Sequence, residues 1–127
     1  MGGFTQSAFA ALGSQNQTIA ASGNYLFGAV DNAGKTAAHI AVDVTYHASA
    51  TRGVNILIEA ESIATPGYES QASAWVIPVP FTVNTTVSKV VPVPADMIGR
   101  FQVRVVNTDI AQSATAVNCR VAQSTYA

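Results

Sequence analysis

Strict alternation of apolar and polar residues in the segment 99–122 constrains the fold of this chain more than any other feature. In its first half, Phe101, Val103 and Val105 share one parity, and the apolar residues at 117, 119 and 121 do the same in its second half. An apolar residue at every second position places one face of a β-strand in a core and the other in water. The segment therefore predicts a hairpin of two β-strands, which needs a second layer of structure over its apolar face because a hairpin is not stable alone.

The segment 36–48 has the longest alternation in the sequence and predicts a long central strand. Apolar residues occupy every second position from Ala38 through Val42 to Tyr46. Shorter β-patterned segments precede and follow it, separated by turns that contain Gly, Ser, Asn and Pro. These segments lie at 18–21, 25–30, 54–60, 72–79, 81–84 and 86–91.

Four prolines mark the borders of the predicted sheets. Pro78 and Pro80 interrupt one β-patterned segment, and Pro92 and Pro94 end another. Proline cannot donate to a β-ladder, so it is confined to edge strands, first positions and bulges. Eight or nine short strands without a helix of useful length are typical of an antiparallel β-sandwich. The long segments paired with short, proline-bounded ones favour an all-β jelly roll of about eight strands.

The chain of 127 residues fits one domain. Residues 17–127 are predicted to form the β-sandwich. Residues 1–16 place two phenylalanines and Leu12 among small, uncharged residues. This segment is either a loosely ordered terminus or an arm that docks on a neighbouring subunit.

Charged residues make up only 10% of the sequence, against roughly a quarter in typical soluble domains. Ser, Thr, Asn, Gln and Ala must therefore cover much of the surface, and such residues cost less to desolvate than ions do. This composition predicts a protein that hides much of its surface against copies of itself or against a larger assembly. The net charge of −1 argues against a nucleic-acid partner, because phosphate contacts need clustered Lys and Arg.

No segment of the sequence predicts secretion or insertion into a membrane. Its start lacks the basic region and the continuous apolar core of a secretion signal. Polar residues interrupt the uncharged first 30 residues too often for a membrane span. We therefore expect the protein to be made in a cytoplasm and to have no membrane partner.

The thiol and imidazole side chains do not form a catalytic or metal-binding pattern. Cys119 is the only cysteine, and it shares the parity of the neighbouring valines, so we expect a small buried residue. His39 and His47 lie on one face of the predicted central strand, about 26 Å apart, which is too far to share a metal ion.

Two acidic features of the sequence share part of the pattern of a chemical site. Glu59 and Glu61 point the same way on a predicted strand, about 7 Å apart, which approaches the carboxyl spacing of inverting glycosidases. No aromatic cleft accompanies them, so two solvated glutamates are the favoured interpretation. The turn 31–35 lacks the later acidic positions of a calcium loop. We expect no catalytic residue, no cofactor and no metal site.

The segments 40–45, 54–58 and 99–109 together resemble small β-sandwich proteins of tailed bacteriophage particles, above all the capsid decoration, or cement, proteins. The resemblance covers residues 36–122 and rests on the β-pattern. It implies a jelly roll without catalytic activity that assembles as a homotrimer at or near threefold positions of a capsid. It also implies a place on the capsid surface of a virion, with the major capsid protein or another virion protein as partner.

Aromatic side chains usually anchor interfaces of the kind that such a protein needs. Tyr25 and Phe27 fit that role, and they fit a place in the core equally well. The interface candidates are Phe4, Phe9, Tyr25, Phe27, Tyr68 and Tyr126.

Two other functions are open at this point. A structural protein of the tail, neck or baseplate would have the same sequence features. A carbohydrate-binding module has the same kind of fold, but such modules present an exposed row of Trp and Tyr. Trp75 is the only tryptophan, and we expect it in the core.

Overall fold

The structure is a computed structural model, and it describes residues 4–32, 34–35, 37–61, 67–70, 74–93 and 99–126. These residues form ten β-strands and no helix. In chain order the strands are β1 (Phe4–Gln6), β2 (Ala10–Ala11), β3 (Gln17–Ile19), β4 (Asn24–Asp31), β5 (Ala37–Tyr46), β6 (Val54–Ala60), β7 (Trp75–Pro78), β8 (Thr86–Val93), β9 (Arg100–Asn107) and β10 (Ala114–Tyr126). None of the described residues belongs to a helix long and apolar enough to cross a membrane.

The strands form two antiparallel sheets that pack face to face. In the first sheet β10 lies between β5 and the three short strands β1, β2 and β3, and β8 pairs with the other side of β5. The second sheet has the order β4-β9-β6-β7. Because β1, β2 and β3 all pair with β10, they share one strand position, and the sandwich has eight positions. The chain alternates between the sheets except from β6 to β7, which is the connectivity of a jelly roll, so the predicted fold is confirmed.

The predicted hairpin over 99–122 is wrong in its pairing, although both strands are present. β9 pairs with β4 and β6, whereas β10 pairs with β5 and the N-terminal strands in the other sheet. The connection 108–113 therefore crosses from one sheet to the other. Alternation shows only that each strand has a dry face, and two strands that face each other across a core show the same pattern as two strands side by side.

The predicted central strand is confirmed as β5, in which buried and half-buried residues alternate over all ten positions. Its inward side chains include Ala38, Val42 and Tyr46. They pack against the inward residues of β9, among them Phe101 and Val103, to form the core between the sheets.

Both proline-containing strands lie at sheet edges, as predicted. β7 is the outer strand of the second sheet and β8 that of the first. Pro92 is the register partner of His39 within β8 rather than the residue that ends the strand. The predicted strand at 81–84 is wrong: these residues form no strand, and the chain turns at 83–84, where Asn84 has a positive φ of 55°.

Candidate interaction surfaces

Four connections meet at one end of the sandwich. They are 20–23, 47–53, 79–85 and 108–113, and the structure describes all of them. The only charged residues in these four connections are Arg52, which is exposed, and Asp109, which is buried. We call this end the loop end.

Asp109 connects two of these loops through its carboxylate. One oxygen accepts hydrogen bonds from the backbone N–H groups of Thr51 and Arg52, at 2.8 and 3.2 Å. The other accepts from the N–H groups of Ala111 and Gln112, at 2.8 and 2.9 Å. The side chain is only 2% exposed. The N–H group of Thr51, followed by those of Ala111 and Gln112, holds the pKa of this carboxyl well below its usual range. Both oxygens are occupied by donors, so the carboxylate has a structural role.

Asn107 connects the remaining chain segments at this end. Its side-chain amide donates to the carbonyls of Ile19, Ala20 and Gln112, at 3.2, 3.3 and 2.9 Å. Its side-chain oxygen accepts from the N–H of Asp109 at 3.1 Å. Loop 79–85 joins the same unit through the N–H of Asn84, which donates to the carbonyl of His47 at 3.3 Å. The four loops therefore form one hydrogen-bonded unit.

Three large apolar side chains are exposed on this unit. Ile110 is 75% exposed, the highest value among the large hydrophobic residues that the structure describes. Phe81 and Val83 are exposed on the adjacent loop. The ring of Phe81 meets that of the core residue Tyr46 edge-on at a centroid distance of 4.9 Å, so Phe81 is in contact with the core while part of its surface stays exposed. Exposed apolar residues on hydrogen-bonded loops with a single exposed charge are typical of a contact surface.

Each sheet face carries an ion pair between its strands. On the second sheet, Glu59 accepts from the side-chain amide of Gln102 at 2.6 Å and pairs with Arg104 at 3.1 Å. On the first sheet, Asp43 pairs with Arg120 at 3.0 Å and accepts from Ser88 at 2.6 Å. Because the ions are paired with one another, these faces present less free charge than the sequence contains.

The prediction of two solvated glutamates is wrong for Glu59. Its side chain is 1% exposed, while Glu61 is exposed and lies 3.7 Å from Arg100 in a loose ion pair. Gln102 lies directly opposite Glu59 on β9, with Arg104 two positions further along, so the neighbouring strand covers the carboxylate. Alternation assigns both glutamates to the same strand face, so it could not show that only one of them is buried.

Cys119 is buried, as predicted. Burial raises the pKa of its thiol to about 12, which keeps it protonated and unreactive at neutral pH. His39 and His47 are separate: His39 is half-buried on β5, and His47 is exposed and accepts from the N–H of Ser49 at 2.9 Å. Among the described residues, no three His, Cys, Asp or Glu side chains lie close enough to hold a metal ion.

The structure does not bring the six interface candidates together. Phe4 and Tyr126 are register partners on β1 and β10. Phe9 is 41% exposed on the N-terminal segment, and Tyr68 is half-buried opposite Glu61 in an isolated bridge.

Tyr25 and Phe27 of β4 were expected either at an interface or in the core, and Phe27 lies in the core. It is buried, and the half-buried Tyr25 ring meets it edge-on at 4.8 Å. Phe27 is therefore not available as an interface residue.

Neither the exposed apolar residues of the loops nor the exposure of Trp75 was predicted from the sequence. Trp75 is 38% exposed on the edge strand β7 rather than enclosed in the core. The only signal for the loop end was the sequence Asn107-Thr108-Asp109 between two strands, since Asn and Asp in such positions bond to nearby backbone. Ile110 follows directly, and no periodicity marks it as exposed.

No protein-family model matches the sequence, and no curated protein sequence matches it. Among solved structures, the chain is similar in fold to VP2 of infectious bursal disease virus in a subviral particle, with a TM-score of 0.53 and 7% identity over 98% of this chain and 33% of that one. A structure of the Gt strain of the same virus gives a TM-score of 0.52 at 8% identity, covering 98% and 33% of the two chains. Its T13 viral particle gives 0.51 at 9% identity, covering 98% and 31%. This chain spans about one third of the chains it matches, and the likeness is one of fold.

Proposed function

We propose that this chain is a non-enzymatic structural protein of a virion, one that decorates the capsid of a tailed bacteriophage and stabilises it by bridging major capsid subunits. The observation that carries the proposal is the fold match of 98% of the chain to a jelly roll found in viral particles. The resemblance of segments 40–45, 54–58 and 99–109 to decoration proteins supports the finer assignment. A homotrimer is the proposed assembled form.

The loop end is the proposed contact surface with the major capsid protein. Ile110, Phe81 and Val83 provide apolar area, and the hydrogen bonds of Asn107 and Asp109 hold the loops in place before contact. Preorganised loops lose little conformational entropy when they bind. Arg52 is the only exposed charge in the four loops, so one acidic group on the partner would match this surface.

The direct experiment uses particles from the virus that encodes the chain, produced with and without its gene. We expect the protein to co-sediment with gradient-purified particles and its loss to lower the temperature at which they release nucleic acid. Antibody labelling in electron microscopy separates the capsid from the tail, neck or baseplate. Absence of the protein from purified particles would overturn the virion role, and labelling of the tail alone would overturn the capsid assignment.

A matched pair of variants tests the contact surface. Ile110→Asp puts a charge on the loop end, and Val90→Asp puts one on an exposed valine of the edge strand β8. We expect Ile110→Asp to weaken binding to particles that lack the protein by about tenfold or more, as for a buried anchor residue, and Val90→Asp to leave it unchanged. Equal effects of the two variants on binding would show that the loop end is not the contact surface.

Trp75 favours one alternative, a carbohydrate-binding module. Its side chain is 38% exposed at the edge of the second sheet, where a sugar ring could stack on it. A glycan array with the wild-type protein and the Trp75→Ala variant tests this function. Binding of a glycan that the variant loses would replace the virion proposal with this one, and no binding by the wild type would dismiss it.

A further inference from the structure

The first described residues of the chain lie along β10 and are held there by the backbone. Phe4 to Gln6 pair with the end of β10, and Ala10 and Ala11 pair with Val121 and Arg120. Between them, the N–H of Ser7 donates to the carbonyl of Gln123 at 2.9 Å. We call residues 4–11 the arm.

The side chains of residues 7–11 are all exposed. They include Phe9, a large apolar ring that is 41% exposed and gains little from its present position. Each backbone hydrogen bond of the arm contributes only modestly to stability, because water replaces it when the strand leaves. The arm can therefore leave β10 without opening the core around these five residues.

The chain becomes part of the sandwich at Leu12 and Gly13. Leu12 packs partly on the core, and its N–H donates to the carbonyl of Cys119 at 2.9 Å. Gly13 has a φ of +67°, and a Cβ atom at this position would overlap the carbonyl oxygen of Phe27. This close approach fixes the backbone here and gives the arm a defined hinge.

We propose that the arm pairs with β10 of a second copy of this chain, so that neighbouring copies are linked by exchanged arms. The receiving edge, its register and its hydrogen bonds are identical in the two arrangements, so exchange costs little enthalpy. Eight extended residues span about 26 Å, so the arm can pair along the edge of a neighbouring copy whose β10 begins beside the hinge. The arm carries no charged residue, so no charged group has to be desolvated when the arm lies between two copies. Phe9, which is exposed on the arm, is available for contacts between the two copies. This inference rests on the arm alone and does not depend on the proposed virion role.

Two variants that each carry one added cysteine test the exchange on the purified, full-length protein. Thr5 and Thr125 are register partners across β1 and β10. Paired residues of antiparallel strands have Cα atoms about 4.5–5.5 Å apart, a separation that a disulfide can bridge. Thr5→Cys and Thr125→Cys are purified separately, mixed, unfolded and refolded together, and then oxidised. A disulfide between the two chains requires that the arm of one lies on β10 of the other.

The control mixture combines Thr5→Cys with Ser49→Cys, an exposed position in the loop between β5 and β6. Cys119 is buried, so the native thiol does not compete. We expect about tenfold more linked heterodimer from the Thr5 and Thr125 pair than from the control, since pairing raises the effective concentration of the thiols. Mass spectrometry of the linked peptide verifies the bond. Equal yields from the two mixtures, with circular dichroism showing that all three variants fold, would overturn the exchange.

Discussion

Asp109 shows how one buried acidic residue fixes a set of loops. Its carboxylate accepts four backbone N–H groups from two connections, and an uncharged acceptor of the same size bonds such donors less strongly. The loop end therefore depends on the charge of this residue and not only on its shape.

The stability contributed by Asp109 should depend on pH. The folded-state pKa of its carboxyl lies below the ordinary value of 3.8, so its contribution is fully present above about pH 4 and is lost as the pH falls toward the folded pKa. We expect Asp109→Asn to be less stable than the wild type in urea at pH 7, and the difference to shrink when the pH is lowered from 4 to 2.5. A difference that stays constant over this range would show that the charge contributes nothing.

Glu59 and Glu61 form a matched pair for a second experiment. Glu59→Ala leaves Gln102 and Arg104 without their buried acceptor, and we expect a loss of about 2–3 kcal/mol in the free energy of unfolding. Glu61→Ala removes an exposed pair with Arg100 and should cost less than about 0.5 kcal/mol. Urea unfolding followed by circular dichroism measures both. Equal losses would contradict the burial of Glu59.

At the scale of elements, the N-terminal segment divides into an arm and a part of the sandwich. Deletion of residues 1–11 should leave a cooperatively unfolding sandwich, because the side chains of 7–11 are exposed. Deletion of residues 1–16 also removes the packing of Leu12 and the hydrogen bond that the N–H of Cys119 donates to the side-chain oxygen of Gln15. It should cost at least about 2 kcal/mol more. Thermal and urea unfolding of the two truncated proteins measure the difference. Loss of cooperative unfolding in the shorter deletion would place the arm in the core.

The hinge between these two parts is tested by two glycines with similar backbone angles. Gly13 and Gly34 have φ values of +67° and +74°, so alanine at either position costs about 1–2 kcal/mol in backbone strain. Only at Gly13 would the new Cβ meet another atom, the carbonyl oxygen of Phe27. We therefore expect Gly13→Ala to cost about 1–3 kcal/mol more than Gly34→Ala in urea unfolding. Similar losses would show that the backbone at Gly13 is free to shift.

At the scale of the whole molecule, self-association should depend on apolar and backbone contacts more than on ions. Charged residues are 10% of the sequence, and several of them pair within the chain. By light scattering after size exclusion, we expect a mass of about three times the 13.1 kDa chain. The same mass should persist from about 0.1 to 1 M NaCl, since salt screens exposed charges and leaves apolar burial intact. A monomer at every concentration, or dissociation in high salt, would contradict this.

The alternation of apolar and polar residues along the chain determined much of the fold without any information on long-range contacts. It located β5, β6, β9 and β10, and it identified the buried parity in Phe101, Val103 and Val105. Alternation is a local property of an extended chain, because successive side chains point to opposite faces whatever the strand pairs with. The prolines near β7 and β8 likewise marked edge strands through a local cause, the missing N–H.

Tertiary structure alone decided which strands are neighbours and what each polar residue meets. The placement of β9 and β10 in different sheets, the burial of Glu59 beneath its β9 neighbours and the exposure of Trp75 at an edge depend on residues distant in sequence. The same holds for Asp109, whose donors at Thr51 and Arg52 lie nearly sixty residues away. By itself, the sequence determined a chain of amphipathic strands with little charge. Long-range contacts set the sheet order and the loop end, because strands with equally apolar faces do not encode their own partners.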